Sequence, residues 1–210
     1  MTELNISNFN IAFFQPPRNP LPDDVFSEIL SSVLSHFPLV DQASNPILVA
    51  RRKEGGEISM NPIFIQFLNF DTKDFDSDLK VTKEISDIYF GKYNTEKIHQ
   101  IAIRLVSITE TSIKDGERQL IKNEIFKLHP YNAQILNPDE EVKIGVRLVF
   151  RRNDKRYDLK IEPYFKQVGK ANYIDFNVVL SNLNMPPGDV YNSLDKEIFY
   201  FRHDISKLIL

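Results

Sequence analysis

The sequence predicts an α+β protein with a largely antiparallel sheet, on three observations. Stretches with the two-residue alternation of half-buried strands come in pairs around short turns, as hairpins do. Other stretches repeat apolar residues at three- and four-residue spacing, as amphipathic helices do. Strands and helices are not regularly interleaved, which argues against a doubly wound parallel sheet. The order is strand, helix, hairpin, helix, strand, then helix, hairpin, strand, helix. It admits two similar halves, 1–112 and 113–210, standing as two domains or merged into one. The 210 residues suit either arrangement.

The first strand is "NFNIAFFQ" (8–15), and "PPRNPLP" stops it, because each proline fixes φ and removes a donor. A helix follows over 22–37, with Val25, Phe26, Ile29, Leu30, Val33, Leu34 and Phe37 on one apolar stripe. Pro22, Asp23 and Asp24 suit its first turn, and Pro38 ends it. "PILVARRK" and "EISMNPIFIQFLNF" flank "EGGE" and read as a hairpin. Pro62 marks an edge, a bulge or a break within the second run. Residues 81–90 read as a helix through Val81, Ile85, Ile88 and Tyr89.

Residues 98–111 fit either period, and their β-branched density favours a strand. Residues 118–129 read as a short helix. In "GVRLVFRRNDKRYDLKIEPYF" (145–165), Val146, Leu148 and Phe150 alternate with polar positions. So do Tyr157, Leu159 and Ile161, which makes a hairpin with one buried face. "YIDFNVVLS" adds a strand. A closing helix from about Asp189 carries Val190, Leu194, Ile198, Phe201, Ile205 and Leu208 on one stripe.

Composition narrows function. The net charge of −3 supplies no global cationic field for nucleic acid or acidic membranes. The absence of cysteine excludes disulfides, thiolate zinc sites and a cysteine nucleophile. With no signal-like start and no apolar run of about 20 residues, the chain is expected to be cytoplasmic, with no membrane association.

Two basic clusters are the candidate nucleic-acid-binding residues: Arg51, Arg52 and Lys53, and Arg151, Arg152, Lys155 and Arg156. Each abuts a hairpin turn, where polar residues are needed whatever the function. One patch of seven cations would form only if both tips point the same way. As plain tip charges, Arg151, Arg152, Lys155 and Arg156 are expected to tolerate replacement by Gln with the fold intact.

"DTKDFDSDL" (71–79) begins like a calcium loop but has Leu79 and Ile85 where the loop needs Gly and Glu, so it reads as a solvated acidic loop. His36, His99, His129 and His203 have no metal-ligand spacing; no metal and no cofactor is expected. His36 and His129 each close a helix, where a cation suits the C-terminal dipole. No phosphate loop, nucleophile elbow or dinucleotide motif occurs.

Three stretches carry a resemblance. "IRLVSI" places Arg104 in a strand of the form apolar-Arg-Tyr-apolar-Asn-apolar, with Leu105 at the Tyr position and Ser107 at the Asn position. "YIDFNVV" matches a strand of the form Leu-Asp-apolar-Asp through Asp175, with Asn177 at the second Asp. "IFYFRHDISKLI" matches a terminal helix with Phe near its end. Together they resemble a sporadically distributed family of uncharacterised bacterial and archaeal proteins. That resemblance implies fold and class, and transfers no catalytic residue.

The expected function is that of a cytosolic, non-enzymatic protein acting through a macromolecular partner, a second copy of itself included. A holdase-like chaperone is one form of it. The alternatives are an enzyme whose site joins distant residues, such as His99, Arg104 and carboxylates, and nucleic-acid binding through the two basic tips.

Overall fold

A computed structural model describes residues 3–109, 145–164 and 171–209. Nine strands form one sheet, and all its pairings are antiparallel. They are β1 (Asn8–Phe14), β2 (Leu39–Ser44), β3 (Ile47–Arg51), β4 (Gly56–Met60), β5 (Phe64–Asn69), β6 (Gln100–Thr109), β7 (Val146–Arg152), β8 (Lys155–Pro163) and β9 (Asn172–Leu180). Their order across the sheet is β2-β3-β4-β5-β1-β6-β9-β8-β7. The α+β class with hairpins is therefore the observed one. The division expected near residue 112, and the helix expected over 118–129, fall outside the described residues. Strands on either side of that division pair directly, since β6 bonds to β1 and to β9.

Among the described residues three helices cover one face: α1 (Asp23–Leu34), α2 (Phe75–Lys92) and α3 (Pro187–Phe199). Helix α3 runs on through a π-helical segment (Tyr200–Ile205) into a last α-turn (Ser206–Ile209). The strands turn alternate side chains toward this layer. Phe9 and Phe13 of β1 meet Phe75 and Phe90 of α2 edge-on, and Phe176 of β9 meets Tyr200 and Phe201. Ile29, Val33, Ile58, Ile65, Leu105, Val178 and Leu194 are also fully buried there. Each such side chain contributes about 1.5–3 kcal/mol of hydrophobic stabilisation.

The hairpin of β7 and β8 has the register its alternation predicts: Val146 opposite Ile161, Leu148 opposite Leu159, Phe150 opposite Tyr157. Its two-residue turn holds Asn153 and Asp154 at positive φ, the conformation of a primed turn that these residue types tolerate. Residues 98–111 supply a strand, as their β-branched content predicts. Pro62 is a break: β4 ends before it and β5 starts after it. Gln15 and Tyr89 fasten that turn, bonding to the carbonyls of Pro62 at 2.9 Å and Asn61 at 2.7 Å.

The structure departs from the sequence reading in three places. Helix α2 starts at Phe75, inside the stretch read as a solvated loop, because Asp74 caps it through the amide of Ser77 at 3.0 Å. Strand β2 occupies residues to which the sequence pattern assigns no element; all its residues are exposed, so it lacks the alternation that identifies a strand. The closing helix begins at Pro187, with its first turn supplied by "MPPGD" itself.

Candidate functional site

The face of the sheet opposite the helices carries a row of polar side chains across its central strands. Asn10 of β1, Arg104 of β6, Asn177 of β9 and Asp158 of β8 are successive register partners. Side chains opposite one another in antiparallel strands share a face and touch. Arg104 donates from Nε and Nη2 to the two carboxylate oxygens of Asp175, both at 2.9 Å, and from Nη2 to the Tyr173 hydroxyl at 3.1 Å. Asn177 donates to Asp175 at 2.9 Å. Asp175 is buried, whereas the Arg104 side chain is 45 % exposed.

The fork-to-carboxylate geometry fixes the plane of the guanidinium. Hydrogen bonding to Asp175 raises the Arg104 pKa further, and burial raises that of Tyr173. Arg104 and Asp175, which carry two of the stretches of resemblance, are thus one unit in space. Arg104 has five donors, and among the described residues those of Nη1 meet no acceptor.

Beside this unit lies an open trough of about 290 Å³. Ala12 and Ala102, opposite one another in β1 and β6, floor it. Phe14 and Phe64, with ring centroids 5.9 Å apart, wall one end. Gln66, bonded to Asn10 at 2.9 Å, with Arg104, Asn177 and Val179, walls the rest. Small residues in the centre of a broad sheet make the hollow, and amides and a guanidinium rim it with donors and acceptors. Such a surface suits an extended polar-apolar segment better than an enclosed reaction. His99 is exposed and does not line the trough.

The two basic tips lie at opposite ends of the strands. The register row Gly56–Asn69–Phe9–Leu105–Phe176–Leu159–Leu148 crosses the sheet beside the first turn. The row Met60–Ile65–Phe13–Ile101–Leu180–Lys155–Arg152 crosses beside the second. The turn after β3 projects beyond the first row and the turn after β7 beyond the second, so the seven cations do not form one patch.

The first cluster is largely spent on its own fold. Arg51 bonds Asp41 at 2.5 Å. Arg52 bonds Asp78 at 2.5 Å and the His36 carbonyl at 3.0 Å, and lies 4.5 Å above the Phe37 ring. Only Lys53 stands exposed without an ion pair among the described residues.

In the second cluster Arg151 and Arg156 face each other across the hairpin, exposed on the helix-free side. Lys155 turns the other way and meets Glu197 of α3 at 2.5 Å. Glu197 is 3 % exposed and lies 3.4 Å from the Tyr157 hydroxyl, whose pKa is raised by burial and then by this carboxylate. Arg152, Lys155, Tyr157, Glu197 and Tyr200 line a small cleft at the start of the π-helical segment. Lys155 is therefore not a plain tip charge, and its replacement is expected to cost stability.

The sequence reading assigns none of the three carboxylates that receive these cations, Asp41, Asp78 and Glu197, as their partners. For the last two the signal was positional: Glu197 lies three residues after Leu194 and beside Ile198, within the apolar arc. Asp78 stands four residues before the buried Thr82.

Among the described residues no group of three or more His, Asp or Glu is placed to hold a metal ion. No helix among them is long and apolar enough to cross a membrane. The sequence matches no protein-family model and no curated protein.

Proposed function

We propose that this protein is a cytosolic, non-enzymatic binding module that holds a macromolecular partner against the helix-free face of its sheet. The observation that carries this reading is the oriented Arg104 guanidinium, with Nη1 unbonded among the described residues, beside an open trough floored by Ala12 and Ala102. A fixed guanidinium recognises a carboxylate or a backbone carbonyl, and the alanine floor admits a main chain lying close to the strands. A photo-crosslinking residue at Val179, on the trough wall, tests it in the native cell. A discrete adduct is expected from Val179, lost with Arg104→Lys, which keeps the charge and drops the fork. Equal adducts from Lys196, exposed on α3, or none from Val179, would sink it.

A second reading has one observation in its favour: Arg151, Arg152 and Arg156 are exposed at one tip and form no ion pair among the described residues. They are the cations through which a nucleic-acid backbone would be met. A mobility shift that weakens as salt rises and vanishes on Arg151→Gln with Arg156→Gln would establish it. Binding indifferent to that double variant would dismiss it.

A further inference from the structure

The two outer strands of the sheet differ in how they meet solvent. Strand β2 carries a bulge between Val40 and Gln42, and Asp41 is tied to Arg51. Bulges and charges are the usual devices that stop an edge from pairing. Strand β7 keeps an unbroken register over all seven residues and contains no proline. Leu148 and Val149, at its centre, are 44 % and 54 % exposed.

The hairpin turn sets which backbone groups of β7 face outward. In a two-residue turn the flanking pair, here Arg152 and Lys155, is hydrogen-bonded, and bonded pairs alternate from there. Arg152, Phe150, Leu148 and Val146 therefore bond to β8. Arg151, Val149, Arg147 and Gly145 point their amides and carbonyls away from the sheet.

We infer that β7 pairs with β7 of a second copy, antiparallel and centred on Leu148, joining two sheets into one. The inference goes beyond the binding reading above, since β7 lies three strands beyond β6 and the trough. Of the registers that match the outward groups, two keep seven residues of each copy paired. Centring on Val149 would set Arg147 against Arg151 of the other copy, and like charges directly opposite are unfavourable. Centring on Leu148 sets Arg147 against Val149, Val146 against Phe150, and Arg151 against Gly145.

That last pairing gives charge complementarity. Gly145 has no side chain, and its neighbour in the β8 direction is Glu162, whose Cγ lies 3.0 Å from where a Cβ on Gly145 would stand. Glu162 is exposed and makes no ion pair among the described residues. On the helix-free face, Arg151 of one copy thus reaches over Gly145 to Glu162 of the other, and the two-fold axis repeats the contact. Leu148 meets Leu148 on the helix side, covering the apolar surface that the single copy leaves exposed.

Because the chain has no cysteine, single cysteines report the register directly. Leu148→Cys falls opposite itself in a non-hydrogen-bonded pair, close enough to bridge on mild oxidation, whereas Phe150→Cys falls opposite Val146. The expected result is a covalent dimer from the first and not from the second. Sedimentation at tens of micromolar should give a dimer for the unmodified chain. Val149→Pro, which removes only an outward donor, should weaken it by about tenfold or more. Arg151→Glu and Glu162→Arg should each weaken it, and the two together should restore it. A monomer, equal bridging from Phe150→Cys, or an association indifferent to Val149→Pro would overturn the pairing. A monomer that still gives the Val179 adduct removes the pairing and leaves the binding face standing. A dimer with no adduct does the reverse.

Discussion

The two basic hairpin tips have nearly the same composition and opposite fates. At the first, the helix layer reaches the turn: α2 presents Asp78 and the end of α1 presents the His36 carbonyl and the Phe37 ring, so Arg52 is absorbed into the fold. At the second, among the described helices only α3 comes near, and it presents one carboxylate, Glu197, on the helix side. Lys155 takes it, and Arg151 and Arg156 are left to solvent on the other face. What a cluster of cations does is thus decided by which element ends beside it and by the alternation that points each residue to one face or the other.

The sharpest way to break this contrast is to remove the cation whose partner is most buried. Lys155→Ala leaves Glu197 without its cation and should cost about 3 kcal/mol. Adding Glu197→Gln should recover most of the loss, since the neutral amide is far less penalised by burial. Urea unfolding of the three proteins measures both; an unchanged midpoint for Lys155→Ala would return the second tip to the status of ordinary surface.

Arg52→Ala should be milder, about 2 kcal/mol, because Asp78 keeps the Asn69 amide at 2.8 Å and the Thr72 hydroxyl at 2.5 Å. A loss larger than that of Lys155→Ala would reverse the ranking of the two tips. Arg151→Gln with Arg156→Gln should stay within about 0.5 kcal/mol at submicromolar concentration, as exposed substitutions do. A thermal midpoint several degrees lower would show that these cations are also engaged.

The smallest effect is a dependence on pH along the second hairpin. Arg147 holds the Asp158 carboxyl below its usual range, through paired hydrogen bonds at 2.9 and 2.5 Å. A depressed folded-state pKa means the pair contributes above the ordinary carboxylate range and loses its contribution as pH falls through the depressed value. Arg147→Ala should therefore lower stability slightly at neutral pH and leave it unchanged in strong acid. Equal losses at both would assign the effect to packing.

Much of the architecture was legible because periodicity reports burial on one side. The alternation on both sides of the turn gave the hairpin's register. Only its β8 half, Tyr157 and Leu159, is buried, since β7 lies at the edge and leaves Leu148 44 % exposed. The stripe through Phe26, Ile29 and Val33 located the buried side of α1. Leu30, on the same stripe, is only half-buried, since a broad stripe exceeds the width of the groove it fills. Exposed β2 had no pattern to read. The candidate face was legible only in fragments: Arg104 and Asp175 stood out in separate strands, but their pairing depends on β6 lying beside β9, across 71 residues. Ala12 and Ala102 matter only as a shared floor, and no property of an isolated alanine announces it.

The position of β1 has a kinetic consequence. It is the first strand in the chain and a central one in the sheet, held between β5 and β6. Its partners are Phe64–Asn69 and Gln100–Val106, so neither ladder closes until the chain has returned from far downstream. Such non-local pairing carries a large loop-closure entropy and slows folding. On a growing polypeptide the edge of β1 that pairs with β6 stays unpaired until β6 emerges. Fragments ending before residue 100 should then associate through that strand, and the complete chain should fold in one late step when β6 closes against it.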